Sequence, residues 1–296
     1  NFSSLAYVII DEQHRFGVQQ RLYLAEKGIN TNILLMSATP IPRTLALAQY
    51  GEIEQVILKE KPAFQKPIIT KVSNIDKIKD IEILLKKKIS NVSQVYWICP
   101  LVEASETQKY KDVETRFKSL KNIFGSEVEM LHGKIKSDQK ERIIQNFQNG
   151  NIKILVATTV VEVGIDNKNA DYIVIESAEK FGLSQLHQLR GRVGRGNNQG
   201  YCFALYGMDL PDNTINRLKI FKENLDGFKL SEKDLEIRGT GDILGYRQSG
   251  DSLFKFVNVY HDQELIIDAI QYVKKLIEKK EYENEKFKKD IYKLLM

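Results

Sequence analysis

The feature that most constrains the fold is an alternation between two hydrophobic periods. Short apolar, β-rich runs occur at Ala6–Ile10, Ile33–Met36, Ile68–Val72, Val95–Cys99, Val128–Leu131, Ile154–Ala157, Tyr172–Ile175 and Tyr201–Leu205. Amphipathic stretches of helical period lie between many of them, at Asp76–Ile89, Val113–Phe124 and Ser137–Phe147. In the last, Ser137 is expected as the N-cap, and Ile143, Ile144 and Phe147 share one face. Strand–helix–strand alternation implies right-handed crossovers and a mainly parallel sheet covered on both faces. The runs are apolar without clean alternation, as strands buried on both sides require. The predicted class is α/β.

A composition break at Lys59–Pro67, where lysines and prolines interrupt the periodicity, reads as a linker between two α/β units. The strand pattern fades after Leu205. Asn213–Leu225 reads as helix, Ser231–Gly250 as an irregular segment rich in Gly and charge, and Asp262–Leu295 as a long helix with a solvated Lys/Glu face. The expected division is 1–62, 63–207 and 208–296, with a mostly helical last part. No apolar run approaches ~20 residues, so no membrane-spanning helix is expected. Cys99 and Cys202 sit in apolar strands and read as buried, inert thiols. His14, His132, His187 and His261 show no zinc-ligand spacing. The net charge of +5 permits contact with a polyanion. The first residue is Asn, and a strand pattern begins almost at once, so the chain is expected to lie inside a longer polypeptide.

Four constellations carry chemistry. Val8-Ile9-Ile10-Asp11-Glu12-Gln13-His14 is an apolar strand ending in two acids. A carboxylate at a strand's carboxyl end suits Mg²⁺, and a neighbouring Glu suits positioning or deprotonating a water. Leu34-Leu35-Met36-Ser37-Ala38-Thr39-Pro40 ends a second strand in small hydroxyl residues. Ile154–Thr159 followed by Val163-Gly164-Ile165-Asp166 offers threonines for phosphate and a carboxylate for a ribose hydroxyl. His187-Gln188-Leu189-Arg190-Gly191-Arg192-Val193-Gly194-Arg195-Gly196 alternates arginines with glycines. The glycines remove bulk so that a guanidinium fork can approach phosphate, and arginines so placed stabilise a transferring phosphoryl group. Each constellation also has a bland reading, as an acidic turn, a Thr-Pro turn or a basic loop. Gly133-Lys134 is followed by Ile135, so these 296 residues hold no Gly-x-x-x-x-Gly-Lys-Ser/Thr loop. Gly239, Gly241 and Gly245 miss the dinucleotide fingerprint spacing, which excludes a Rossmann oxidoreductase.

In this order, the four constellations resemble the motifs of superfamily-two helicases, and Gln188–Arg195 fits QxxGRxGR. DEQHRFGVQQR (Asp11–Arg21) and MSATPIPRTLAL (Met36–Leu47) resemble both the RecG family and the transcription-repair coupling factor. Asp226-Gly227-Phe228 and DLEIRGTGDILGYRQSG (Asp234–Gly250) are similar to the RecG translocation region, with Thr240 where that pattern usually has Pro. The resemblance implies RecA-like motor domains and ATP-dependent DNA helicase activity that regresses stalled replication forks and migrates Holliday junctions. It implies ATP and Mg²⁺ as cofactors, branched DNA and single-stranded DNA-binding protein as partners, no membrane, and the bacterial cytoplasm. The phosphate loop and wedge domain are expected upstream. Asp11 is then the Mg²⁺ ligand and Glu12 the general base, with Gln13 and His14 sensing the γ-phosphate. Ser37 and Thr39 couple motion, Asp166 and Gln188 lie at the nucleotide, Arg192 and Arg195 are arginine fingers, and Arg238 and Gln248 belong to the translocation loop. The rival readings are the coupling factor, with an RNA polymerase partner, and a non-catalytic nucleic-acid-binding module.

Overall fold

The computed structural model describes residues 5–12, 23–24, 27–28, 31–37, 56–58, 60, 65–89, 93–100, 111–158, 167–238 and 262–279. The chain divides into two compact units, Asn1–Pro40 with Lys59–Leu230, and Ile41–Leu58 with Ser231–Met296.

In the first unit, β1 (Tyr7–Ile10) pairs in parallel with β2 (Asn32–Leu35), in the register Tyr7↔Asn32 to Ile10↔Leu35. A second sheet has six strands: β3 (Ile69–Asn74), β4 (Gln94–Ile98), β5 (Val128–Leu131), β6 (Ile154–Ala157), β7 (Ala170–Ile175) and β8 (Tyr201–Tyr206). Their order is β3-β8-β7-β4-β6-β5, and every pairing is parallel. The helices are α1 (Ile78–Lys88), α2 (Lys111–Phe124), α3 (Ser137–Gln148), α4 (Leu183–Arg190) and α5 (Asp212–Glu223), and α6 (Gly227–Arg238) begins in this unit and passes into the second after Leu230. The second unit contains α7 (Gln263–Glu278).

The two-residue period of the strands divides the core between the sheet's two faces. On β4, Val95 and Trp97 join Ile81 and Leu85 of α1 and Val113 and Leu120 of α2. Tyr96 and Ile98 turn the other way, to Phe147 of α3, the leucines of α4, and Leu218 and Phe221 of α5. Strands β6, β7 and β8 split in the same manner. Each fully buried Leu, Ile or Phe contributes about 1.5–3 kcal/mol, so covering both faces is what makes continuous apolar strands stable. Among the described residues, no helix is long and apolar enough to cross a membrane.

Two local expectations are corrected. Ser137 is not the cap of α3: it is the first helical residue, and the extended Lys136 is the N-cap, with no side-chain hydrogen bond. The turn that closes with Ile135 N–H on His132 O brings the chain into the helix one residue early. Residues 231–238 are not irregular but form the end of α6. Asp226 starts this helix, accepting the Phe228 N–H on Oδ1 at 2.8 Å and the Leu230 N–H on its carbonyl at 3.1 Å. Residues 239–250 and 280–295 lie outside the described residues.

Candidate functional site

Asp11 and Glu12 follow β1 directly, at the carboxyl end of a parallel strand whose last residue, Ile10, is buried. Asp11 is exposed, and its Oδ1 accepts the Glu12 N–H at 2.8 Å. Glu12 has φ 48°, an uncommon left-handed conformation for a residue with a side chain. Ser37 stands two residues beyond Leu35, as Glu12 stands two beyond its register partner Ile10, and Met36 N–H extends the ladder to Ile10 O at 2.8 Å. The acids and the hydroxyl therefore share one end of the β1–β2 pair. Among the described residues, no three His, Cys, Asp or Glu gather as a metal cage. Mg²⁺ is usually held by one or two carboxylates, waters and substrate phosphates, and the adjacent Asp11 and Glu12 supply carboxylates of that chemistry.

The arginine motif resolves into two buried arginines, the pin Arg190 and Arg192, and a half-buried one, Arg195. Arg190 ends α4 and is 2% exposed. Its Nη1 donates to Phe221 O at 2.9 Å, and its Nη2 to Asn224 O at 2.9 Å and to His187 Nδ1 at 3.0 Å. The guanidinium lies 4.5 Å over the Phe221 ring. Burial pulls its pKa below the ordinary value. Arg190 thus caps the carbonyls that end α5 and is committed to structure. On the other side of its His187 partner, a Cβ at Gly227 would sit 2.7 Å from Nε2, so a side chain there would push the imidazole aside. Arg192 and Arg195 lie in the turn between α4 and β8. Gly194 between them has φ 68° and donates its N–H to Ala170 O at 3.2 Å. Arg195 Nε donates to Gly191 O at 3.0 Å. Gln188 stands two residues before Arg190 on α4.

This turn lies at the amino ends of β7, β8 and β3, since Ile69 N–H bonds Gly200 O and Gln199 Nε2 bonds Pro67 O. Asn167, one residue past Asp166, is fastened at the same end through Gln94 Oε1 at 3.1 Å. The opposite, carboxyl end carries Thr158, together with several basic groups that sequence reasoning did not single out. His132 follows β5, Lys134 N–H bonds its Nδ1 at 3.3 Å, and Lys140 Nζ bonds Gly133 O at 3.0 Å. Lys136 stands between them, at the start of α3. Burial lowers the His132 pKa. Thr158 follows β6 with a fully buried side chain. The readable signal was Gly133-Lys134 itself, a basic turn after a strand, which the phosphate-loop test only discarded. Also at this end, Glu176 Oε1 and Oε2 accept Arg116 Nε and Nη2 at 2.5 and 3.1 Å. Trp97 Nε1 donates to the same carboxylate, and Arg116 Nη1 reaches Glu82 Oε1 at 3.4 Å. These charges are satisfied among themselves and tie α1 and α2 to the sheet. Thr158 and the segment after Asp166, grouped in sequence, thus stand at opposite ends of the sheet.

Of the sequence-predicted residues, Asp11, Glu12, Ser37, Gln188, Arg192 and Arg195 are placed as above. Arg238 is the last residue of α6, and its side chain is not described. Gln13, His14, Thr39, Asp166 and Gln248 lie outside the described residues. Cys202 is buried in β8 and Cys99 directly after β4, as expected of inert thiols. Burial pushes the Cys202 thiol up to about 12.

The six-stranded parallel sheet with an arginine–glycine turn defines a class: residues 74–197 match the helicase conserved C-terminal domain. The chain is 48% identical over 270 residues to the ATP-dependent DNA helicase RecG of Borreliella burgdorferi, covering 90% of this chain and 39% of that protein. It is 44% identical over 267 residues to the RecG of Staphylococcus aureus, with the same coverages. A solved structure of RecG bound to a three-way DNA junction matches with TM-score 0.70 and 38% identity, over 90% of this chain and 34% of that one. The chain is similar to RecG helicases over nine tenths of its own length, and it spans about two fifths of the length of these curated relatives.

Proposed function

We propose that this chain is part of an ATP-dependent double-stranded DNA translocase that regresses stalled replication forks and migrates Holliday junctions, acting in the bacterial cytoplasm. The observation that carries the proposal is the arginine turn. Arg192 and Arg195 flank a left-handed glycine that is bonded to the start of β7, so the turn presents the half-buried Arg195 from an anchored base, with the buried Arg192 beside it. In this reading Asp11 binds Mg²⁺, which supplies charge neutralisation at the phosphates. Glu12 takes the proton of the attacking water. Arg192 and Arg195 donate to the oxygens of the transferring phosphoryl group, with Gln188, Gln13, His14 and Asp166 around the nucleotide. Ser37 and Thr39 relay the nucleotide state. His132, Lys134 and Lys140, at the far end of the second sheet, suit DNA phosphates. Arg238 and Gln248 act in the translocation region, and 1–62, 63–207 and 208–296 are the first motor portion, the second motor domain and that region. Single-stranded DNA-binding protein is a proposed partner.

The test measures ATP hydrolysis with and without forked DNA, and fork regression, on the full-length protein and its Glu12→Gln variant. The expected result is DNA-stimulated hydrolysis and regression in the first, and DNA binding without turnover in the second. Hydrolysis that Glu12→Gln leaves intact would sink the assignment. The 296-residue chain alone, with no phosphate loop in its sequence, is expected to hydrolyse no ATP above that variant's level.

A further inference from the structure

We infer that Asp171 is a positioning residue that sets the arginine turn, acting through Asn198; the inference rests on the role proposed for Arg192 and Arg195. The register of β4 against β7 shifts between Gln94 and Val95: Gln94 pairs with Ala170 and Val95 with Tyr172, leaving Asp171 as the extra residue. Bulges are rare between parallel strands and re-aim the side chain they carry. Here the re-aimed group is a carboxylate, 3% exposed, at the edge of an otherwise apolar core. Its Oδ2 accepts from Ser93 Oγ at 2.6 Å and from Asn198 Nδ2 at 3.0 Å. Its Oδ1 is buried and accepts no hydrogen bond. A buried carboxylate with one bare oxygen is a cost that packing alone does not repay, and such a group calls for a role.

The role is visible in what Asn198 belongs to. It stands three residues beyond Arg195, in the turn that joins α4 to β8. That turn contains Gly191, Gly194, Gly196 and Gly200, so its stiffness must come from its anchors. The N–H of Gly194 on Ala170 O holds one side, and Gln199 Nε2 on Pro67 O at 2.6 Å holds another. Asn198 on Asp171 ties the middle to the residue next to Ala170 on β7, through a charge-assisted bond, which is both shorter and stronger than a neutral one. The two ties to adjacent residues of one strand fix the direction in which Arg195 leaves the sheet. Misplacing a group that must meet a transferring phosphoryl by even ~1 Å costs as much as ~100-fold in rate.

Asn198 is exposed, so its replacement leaves the core untouched. In the full-length protein, Asn198→Asp sets two carboxylates against each other. The expected effect is a fall of about tenfold in kcat for DNA-stimulated hydrolysis, with the KM for ATP and the affinity for forked DNA unchanged and a lower melting temperature from the opposed carboxylates. The double variant Asp171→Asn with Asn198→Asp reverses donor and acceptor across the same 3.0 Å gap and is expected to restore kcat. Unchanged kcat in Asn198→Asp, or a loss that the reversed pair does not recover, overturns the inference. Wild-type protein that shows no DNA-stimulated hydrolysis overturns instead the functional reading beneath it.

Discussion

Replacing Arg190 by Met tests whether the first arginine of the motif is structural. The guanidinium donates to Phe221 O and Asn224 O, both at 2.9 Å, and covers the Phe221 ring at 4.5 Å. Two hydrogen bonds from a charged donor contribute about 1.5 kcal/mol each at the low end, and a desolvated cation–π contact about 1–2 kcal/mol. Relief of the buried charge and the packing of the Met side chain offset about 1 kcal/mol. The net loss is about 3 kcal/mol, because the two helix-end carbonyls remain buried without a donor. For a domain of this size, 1 kcal/mol moves the melting temperature by about 2–4 °C, so Arg190→Met is expected to melt roughly 9 °C lower. The assay is thermal unfolding of the 296-residue chain followed by far-ultraviolet circular dichroism, with Arg195→Ala as the comparison. Arg195 is half-buried in a turn, and its loss is expected to leave the midpoint within about 2 °C. An Arg190→Met shift as small as that of Arg195→Ala would show that the α4–α5 corner holds without the pin, and the division of labour among the arginines would fall.

In the full-length protein, Arg195→Ala is expected to keep its DNA affinity and lose at least ~10³-fold in kcat; loss of binding with retained hydrolysis would make Arg195 a DNA contact. Burial holds the His132 imidazole below its ordinary pKa of 6.5. The native state therefore binds fewer protons than the unfolded chain between the lowered value and 6.5, so stability rises with pH through that window and is lost as pH falls through it. His132→Asn should flatten this part of the profile, and a ring titration by NMR at or above 6.5 would contradict it. Both thiols are protonated and buried, so a thiol reagent at pH 8 is expected to label neither Cys99 nor Cys202 until denaturant is added; rapid labelling of the native chain would refute their inert role.

The strands were readable because parallel strands buried on both faces must be apolar throughout: Val95–Cys99 and Tyr201–Leu205 lie within a residue of β4 and β8. The bulge at Asp171 was not readable, since a register shift depends on the neighbouring strand and leaves no mark in one sequence. The pin was half readable. Leu183, Leu186 and Arg190 share a helical face by their spacing, which put Arg190 on the buried side of α4, but the regular Arg–Gly alternation drew attention to charge instead. Helix α6 was missed because Gly227 and the charged run after Ser231 resemble a loop, whereas the Asp226 cap decides the outcome.

The separation between the arginine turn and the basic carboxyl end has a mechanical consequence. Strand β7, which begins beside the turn, has six residues, about 20 Å of extended backbone at ~3.3 Å each. It is hydrogen-bonded on both sides and packed on both faces, so it behaves as a strut and not a spring. Tilting such a strut by about 10° about its arginine end sweeps the other end through roughly 3.5 Å, close to the ~3.4 Å that separates successive base pairs of a duplex. On the proposed function, a small pivot at the nucleotide would be geared to one step of DNA by the length of a strand, with no internal rearrangement of the domain.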